Sequence, residues 1–427
     1  MWRISVASLM VGIASNAAPP TPSVTFYKDV LPVLQKQCQS CHRPGEVAPM
    51  SFLTYKETRP WASAIKSAVV TNKMPPWFAD TSVGHFSNER RLTDTERATL
   101  VAWAESGAAE GDAKDRPSPV EFADGWTIGK PDIVVEMPND IPIPATGIVN
   151  INSVFVKVNF PKDLWVQAAE IRPGNRQVVH HMKAWVQYPD RTVRALNGAD
   201  APMTDGGRSR DMLCKYNPGL AGQNFTVGDA AKFIPAGSDI VFETHYTSNG
   251  KATTDRSKVG IVLAKAPPKQ RFFTTGALSN HTFTIPAGDP NYELKTEIVL
   301  SQPVQLTWLQ PHMHMRGKSY QVRAIYPTGE SEILLKVPRY DYNWQVGYEF
   351  AKPVPLPKGT RLESIAHFDN SVNNPANPDP TRDVPYGAQT WDEMSVGFFS
   401  VVVDVNTDPL LLFHDKNGRV ALTDKVE

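Results

Sequence analysis

The chain has 427 residues, which at roughly 150 residues per domain corresponds to two or three domains. Its 44 basic and 44 acidic residues give a formal net charge of zero, which excludes the basic surface field that holds nucleic acid or an anionic membrane. Hydrophobic residues make up 41% of the chain, enough for packed cores, and its 37 prolines favour short strands joined by turns. We therefore expect a globular, β-rich, multi-domain protein.

The first 17 residues have the pattern of an export signal. A short positive start is followed by a largely apolar run from Ile4 to Ala14 and by the small-x-small sequence Ser15-Asn16-Ala17. The run is too short for the roughly 20 residues that cross a bilayer, and no later segment qualifies. The sequence predicts a signal peptide over residues 1–17, a periplasmic or otherwise exported location, and no membrane span in the mature chain.

Residues 24–112 have a helical texture. Apolar residues recur at helical spacing in residues 26–34, 61–69 and 97–104. Thr93 and Glu96 form a capping-box pattern, and Gly107 follows the last apolar turn as a stop. The pattern predicts a small all-α domain, followed by a linker over residues 112–124.

From about residue 125 the pattern changes to short alternating runs that are broken by Pro, Gly and Asn, as in residues 152–158 and 305–309. Alternation of this kind is typical of sandwich strands. The break at residues 266–270 divides the region into two all-β sandwich domains, predicted at 125–267 and 268–427.

Cys38-Gln39-Ser40-Cys41-His42 follows the first apolar helix. At this spacing two thiols can add to the two vinyl groups of one haem while the adjacent histidine reaches the iron. The motif predicts covalent haem c bound by Cys38, Cys41 and His42. The alternative is a redox-active disulfide, which does not require the histidine.

A six-coordinate iron needs a second axial ligand. Met74, in the proline-rich loop Met74-Pro75-Pro76-Trp77, is the candidate we favour, because Met-His ligation raises the reduction potential and suits electron transfer. Met50 and His85 are the competing candidates.

Five of the ten histidines fall in three tight contexts, namely His180-His181, His245 and His312-Met313-His314. Residues i and i+2 on a strand face the same way, so His312 and His314 can chelate one ion without backbone distortion. Adjacent residues face oppositely, so His180 and His181 need a bulge or a change of ring nitrogen to share one metal.

A thioether added to imidazole ligands selects Cu(I) over zinc. Met313 and Met315 alternate away from the histidine face, which leaves Met394 in Asp392-Glu393-Met394 as a third ligand from another strand. Copper is therefore the predicted metal.

Two resemblances to known families follow from these motifs. Residues 41–46 (Cys-His-Arg-Pro-Gly-Glu), residues 74–77 (Met-Pro-Pro-Trp) and the helix with Trp103 together resemble a class I c-type cytochrome domain. This resemblance implies that residues 24–112 are a small all-α cytochrome c domain, and it supports Met74 as the axial ligand.

The second resemblance covers roughly residues 125–410. His-His-Met at 180–182, His-Tyr at 245–246, His-x-His-x-x-Gly at 312–317 and Asp-Glu-Met at 392–394 are similar, in order and approximate spacing, to the type II copper, ascorbate-dependent monooxygenases that hydroxylate peptidylglycine and dopamine. The resemblance implies two jelly-roll-like sandwiches that bind two copper ions. It assigns His180, His181 and His245 to an electron-supplying copper, and His312, His314 and Met394 to the catalytic copper.

The chain departs from that family in two respects. The animal members of the family are rich in disulfides, whereas this region has only Cys214, which we interpret as a buried small residue rather than a reactive or copper-loading thiol. Gln310, Val396 and Phe398 stand where the peptide-amidating members place the side chains that grip a substrate carboxylate. We therefore expect a less anionic, more apolar substrate.

Together these patterns predict a copper-dependent monooxygenase that hydroxylates a C–H bond of a small organic substrate with O2. Electrons would enter through the haem from an external donor. The alternatives are a haem-copper electron-transfer or copper-binding protein without hydroxylase activity, and a β-sandwich ligand-binding module with incidental histidines. His367 is interpreted as structural or supporting rather than as a further ligand.

Overall fold

The protein is described from a computed structural model, which covers residues 24–123, 125–147, 149, 152–189, 192–194, 200–202, 210–220, 222–415 and 418. The predicted signal peptide at residues 1–17 lies outside the described residues.

The described helices are short and lie in the first quarter of the chain, where a π-helical turn at Phe26–Val30 precedes the first. The α-helices are α1 (Leu31–Gln37), α2 (Tyr55–Thr58), α3 (Ala62–Val70) and α4 (Asp94–Glu105). Single 3-10 turns occur at Arg59–Trp61, Ala113–Asp115 and Pro409–Leu411. The capping box is confirmed, because the Glu96 amide donates to Thr93 Oγ1 at 3.1 Å and the Thr93 amide donates to Glu96 Oε2 at 2.8 Å.

The prediction of a separate, small all-α cytochrome c domain is wrong. The chain is 38% strand and only 12% helix. The helices enclose a small apolar core around Phe26 and Trp103, but the segment between α3 and α4 docks on strands instead of completing a helical domain. The Asp80 amide donates to the Lys336 carbonyl at 2.8 Å, and Ala79 packs in the large β core. Helical periodicity could not predict this docking, because hydrogen bonds to strands far along the chain do not change the local spacing of apolar residues.

The rest of the described chain is built from strands, as the sandwich prediction required. The strands of the first half are β1 (Ile133–Glu136), β2 (Ile141–Ile143), β3 (Asn152–Val156), β4 (Leu164–Arg172), β5 (Val179–Gln187), β6 (Thr192–Arg194), β7 (Asp200–Pro202), β8 (Arg210–Tyr216), β9 (Gln223–Asn224), β10 (Ala230–Ile234), β11 (Asp239–Tyr246), β12 (Thr253–Asp255) and β13 (Lys258–Leu263). Those of the second half are β14 (Gln270–Asn280), β15 (Thr284–Ile285), β16 (Tyr292–Leu300), β17 (Val304–His312), β18 (Gly317–Ile325), β19 (Ser331–Val337), β20 (Tyr348–Leu356), β21 (Arg361–Phe368), β22 (Val384–Pro385), β23 (Ser395–Asp404) and β24 (Phe413–His414).

One long sheet runs through both halves of the β region, in the order β1-β13-β4-β10-β14-β23-β17-β20 with β9 beside β4. The two halves of this sheet meet where β10 pairs in parallel with β14. A four-stranded sheet, β3-β11-β5-β8, contacts the first half through β4, and a five-stranded sheet, β19-β18-β21-β16-β24, contacts the second half through β14. The pairs β2-β12, β15-β22 and β6-β7 form small two-stranded sheets.

The four-stranded sheet is covered on both faces. Even-numbered residues of β5, such as Ala184 and Val186, pack in the large core. Odd-numbered residues of the same strand face β17 and β23 of the second half. The apolar residues that meet there are Trp185, Met212, Val241, Trp308, Val396 and Phe398, with Met394 packed against them. We call this group the inter-sandwich seam.

None of the helices in the described ranges is both long and apolar enough to cross a membrane.

Candidate metal and haem sites

The histidines that the sequence divided between two copper sites lie together at one end of the inter-sandwich seam. The His181 and His245 ring centroids are 4.0 Å apart, and those of His180 and His181 are 5.0 Å apart. His181 also lies 6.0 Å from His312, which lies 5.3 Å from His314. We call these five residues the histidine cluster.

A β-bulge brings His180 and His181 to the same place. His245 pairs with His181 across the β5–β11 ladder, but the next residue, Tyr246, pairs with Val179, so that His180 has no opposite residue. The two rings then meet, with their Nδ1 atoms 3.0 Å apart. A bulge is one of the two arrangements that the sequence allowed for this pair, the other being a change of ring nitrogen.

His312 and His314 are fixed by hydrogen bonds from the Nδ1 side of each ring. His312 Nδ1 lies 2.7 Å from Gln345 Oε1, and His314 Nδ1 lies 3.2 Å from the Asp392 carbonyl. Both partners are acceptors, so each Nδ1 carries the proton and each Nε2 keeps its lone pair. Partners of this kind set the tautomer of metal-binding histidines. Between them, Met313 turns away into the large core, as predicted.

Met394 lies just before β23. β17 and β23 are antiparallel, and their last paired residues at this end are His312 and Val396. His314 and Met394 each lie two residues beyond that pair, on neighbouring chain segments. Met394 is half-buried against the seam.

Glu393 holds the backbone of the His-x-His segment. Its carboxylate accepts the His314 amide at 2.9 Å and the Arg316 amide at 2.6 Å. The carboxyl group is fully buried, and burial raises its pKa to about 8 against the opposing effect of these hydrogen bonds. Glu393 is therefore a structural anchor within the motif in which only Met394 had been assigned a role.

The cluster is electrostatically tuned toward neutral imidazole. Burial lowers the pKa of every ring in it, that of His314 to about 4 and those of His181, His245 and His312 well below their usual range. The nearby Lys183 ammonium lowers the pKa values of His181, His245, His312 and His314 further. Metal ions bind the unprotonated ring, so the side chains are in the form that ligation needs at neutral pH.

The donor atoms fit a metal, although they do not enclose one. The Nε2 atoms of His181 and His314 are buried without a hydrogen-bond partner, an arrangement that is unfavourable unless another group binds there. In the described part of the chain, no group of three or more His, Cys, Asp or Glu side chains has the geometry of a metal site. The cluster thus provides nitrogen atoms without hydrogen-bond partners. The rings would have to move closer together before they could share a metal ion.

Lys183 is a buried, positively charged residue beside the histidine cluster. It is 8% exposed and pairs with Glu243 at 2.8 Å on the neighbouring strand. Its ammonium lies 4.9 Å from the centre of the Phe398 ring on β23, so the side chain bridges the two sandwiches. Lys183 shares a face with His181 two residues earlier, a relation that strand alternation could have predicted.

The Cys-x-x-Cys-His motif opens into a separate cavity of about 570 Å³. Cofactor pockets typically measure about 300–1,000 Å³ and have mostly apolar walls. Cys38, Cys41, His42 and Met74 all lie in the wall, together with apolar residues of α3. We call this space the haem cavity.

Both thiols are poorly suited to redox exchange. They form no disulfide, and burial raises the pKa of Cys38 to about 12 and also raises that of Cys41. Reactive Cys-x-x-Cys pairs have lowered thiol pKa values. The raised pKa values keep both thiols protonated at neutral pH.

The haem cavity separates the axial-ligand candidates. Met50 and Met74 both lie in its wall, and His85 does not. His85 instead lies where its carbonyl accepts the Ala351 amide at 2.8 Å, on the second sandwich.

Gln345 and Trp344 were missed by the sequence analysis. They lie in a loop without periodicity. Gln345 also has a positive φ of 39°, a conformation that the sequence does not predict for a non-glycine residue.

The remaining predicted residues lie elsewhere. Cys214 is 1% exposed in the large core. His367 lies on the five-stranded sheet, where it contacts Glu293 Oε2 at 3.3 Å and Ser319 Oγ at 3.2 Å. Gln310, Val396 and Phe398 face the seam next to His312, and the Phe398 ring lies 5.9 Å from it.

Comparison with known proteins adds no relative. No protein-family model and no curated protein matches the chain. Among solved structures, one of infectious bursal disease virus, Gx strain, matches at 9% identity over 72% of this chain and 77% of that one, with a TM-score of 0.21. A structure of PNGF-II matches at 8% identity over 64% and 65% of the two chains, with a TM-score of 0.24. Similarity this low carries no argument about this protein.

Proposed function

We propose that the protein is a copper-dependent monooxygenase that hydroxylates a C–H bond of a small organic substrate with O2, and that its electrons arrive through a covalently bound haem. The observation that carries the proposal is the histidine cluster, in which buried, neutral rings hold bare Nε2 atoms between two sandwiches. Bound copper would supply one-electron chemistry with O2, and bound haem would supply electrons one at a time.

Two separate sets of side chains would each hold one copper ion. His180, His181 and His245 would hold one ion, and His312 and His314 with Met394 would hold the other, reactive one. The seam next to them is lined by aromatic and aliphatic groups, which exclude water and favour an apolar substrate.

The rival function is a haem-copper electron-transfer or copper-binding protein without hydroxylase activity. Substrate-dependent O2 consumption by the copper-loaded, reduced protein distinguishes the two. The proposal expects consumption that matches product formation in candidate apolar substrates, together with two coppers per chain by metal analysis. Bound copper with no substrate-dependent consumption would favour the rival, and absence of copper binding would reject both.

Two methionine variants locate the reactive ion. Met394→Ala should abolish product formation while the His180, His181 and His245 copper stays bound. Met315→Ala, just beyond the His-x-His segment, should keep activity. Loss of both coppers in Met394→Ala would argue for one shared site.

A further inference from the structure

Two adjacent residues, Trp344 and Gln345, contact the haem cavity and the histidine cluster respectively. Trp344 lies in the wall of the haem cavity, with Cys41 and His42. The next residue, Gln345, accepts the His312 Nδ1 hydrogen at 2.7 Å in the histidine cluster. A covalent bond and one hydrogen bond therefore connect the cavity wall to a proposed copper ligand.

Gln345 is held in place from several sides. Asn217 Nδ2 donates to the Gln345 carbonyl at 2.8 Å, and Gln310 Nε2 donates to the same oxygen. The left-handed backbone conformation of Gln345 persists because these contacts fix it, and such conformations concentrate at functional sites. The residue is 4% exposed, which leaves its side chain no room to swing away from His312.

The same loop is approached by a second contact from the cavity. Gly219 lies against Cys41, since a Cβ at Gly219 would fall 2.6 Å from Cys41 Sγ. Its carbonyl accepts Arg90 Nη2 at 2.7 Å, and Arg90 also lies in the cavity wall. Asn217, two residues earlier, is the donor that fixes Gln345. The segment 217–219 therefore contacts both the wall of the haem cavity and Gln345.

We propose that the Trp344–Gln345 pair is the electron route between the haem cavity and the histidine cluster, with Gln345 acting as a positioning residue for His312. This inference rests on the proposed function. One electron leaves a one-electron donor held at Cys38, Cys41 and His42, and one electron arrives at a one-electron acceptor held by His312. No proton or group is transferred, and bonded contacts carry an electron farther than an open gap does.

Variants of the full-length chain separate the route from the sites it joins. Gln345→Leu removes the acceptor at similar size, whereas Gln345→Glu keeps an acceptor oxygen. The Glu variant gives up no hydrogen bond at Nε2, because that atom has no partner in the described structure. Trp344→Leu removes the ring from the cavity wall and Trp344→Phe keeps one. Asn343→Ala, at an exposed position in the same loop, is the matched control.

The experiment uses protein loaded with haem and Cu(II). A photochemical one-electron reductant reduces the haem, and its reoxidation is followed by absorbance together with loss of the Cu(II) electron paramagnetic resonance signal. Gln345→Leu and Trp344→Leu should each slow reoxidation relative to wild type, because each removes a contact of the proposed route. Trp344→Phe and Asn343→Ala should react near the wild-type rate, and Gln345→Glu, which keeps the acceptor oxygen, should react faster than Gln345→Leu. The haem midpoint potential and the Cu(II) spectrum should match wild type in every variant except Gln345→Glu, whose carboxylate raises the basicity of His312. The match excludes a change in driving force.

The outcomes are distinguishable. Wild-type rates in both leucine variants would overturn the route and leave the proposed function standing. If Gln345→Leu releases copper, the positioning role is supported and Trp344→Leu alone decides the route. If wild-type protein binds no haem or copper, or exchanges no electron between them, the proposed function and the route fail together.

Discussion

The rings of the second ligand pair are held by neutral acceptors. His312 faces an amide oxygen of Gln345 and His314 faces the Asp392 carbonyl. A carboxylate in these places would raise the basicity of the ligand, whereas a neutral oxygen fixes the tautomer alone. In a buried site that also contains Lys183, neutral partners leave the rings unprotonated, and Nε2 of His314 has no hydrogen-bond partner.

The burial of these rings predicts how apo-protein stability depends on pH. The pKa of His314 falls to about 4 in the folded protein, below its ordinary value of 6.5, so the unfolded chain binds more protons below pH 6.5. Stability is fully present above that pH and is lost as pH falls from 6.5 through 4. Unfolding free energies of the metal-free protein should show this loss, and His314→Gln should lose less. His367→Gln, outside the cluster, should follow wild type; an equal slope in His314→Gln would contradict the argument.

Met74 and Met50 both line the haem cavity, so substitution must separate them as candidate axial ligands. Met74→Ala should leave haem covalently attached but lower its reduction potential, because a thioether stabilises ferrous iron. A redox titration and the sulfur-to-iron absorption band provide the measurement. Met50→Ala is the matched control and should change neither; the reverse result would assign the ligand to Met50.

Single strands were the most predictable elements of the site. Alternation along β17 placed His312 and His314 on one side and Met313 on the other. For the His-His pair on β5 it required a bulge or a change of ring nitrogen, and a bulge is present. Which strands face each other was not predictable, since the meeting of β5 and β11 with β17 and β23 depends on packing between distant segments. For the same reason the all-α domain was wrongly predicted and Gln345 was missed.

A buried ion pair ties the two sheets of the first sandwich together. Lys232 on β10 bonds Asp211 on β8 at 2.8 Å, and the two side chains are 1% and 0% exposed. Burial raises the pKa of Asp211 and lowers that of Lys232, while their mutual attraction opposes both shifts. The pair therefore affects the free energy of unfolding mainly when one partner is removed and the other is left buried and unpaired.

Lys232→Met should lower the free energy of unfolding by about 3–5 kcal/mol, because it leaves an unpaired buried carboxyl group. Adding Asp211→Leu to that variant should recover most of the loss. Lys66→Met breaks an exposed pair with Glu105 and should cost about 0–1 kcal/mol. Urea unfolding measures all three; a small effect of Lys232→Met would mean that the carboxyl group finds another partner.

The proposed copper ligands are divided between two sandwiches, three to each, and the two sets face each other at the end of the seam. The sandwiches already share one sheet through the β10–β14 pairing and meet at the seam. That pairing has two residue pairs only, Ala230 with Gln270 and Ala231 with Arg271. Side-chain contacts at the seam and the histidine cluster must therefore supply much of the orientation between the halves.

Each copper should stabilise the sandwich that holds it, and the shared sheet and the seam should extend that stability to the other sandwich. An ion that binds only the folded histidines adds stability by mass action, about 2.7 kcal/mol at one hundred times its dissociation constant. Calorimetry should show one unfolding transition that moves to higher temperature with Cu(I). His181→Ala and His314→Ala, from opposite halves, should each reduce the shift, and His367→Ala should not. Two resolved transitions, each moved by only one of the two ions, would mean that the sandwiches unfold independently.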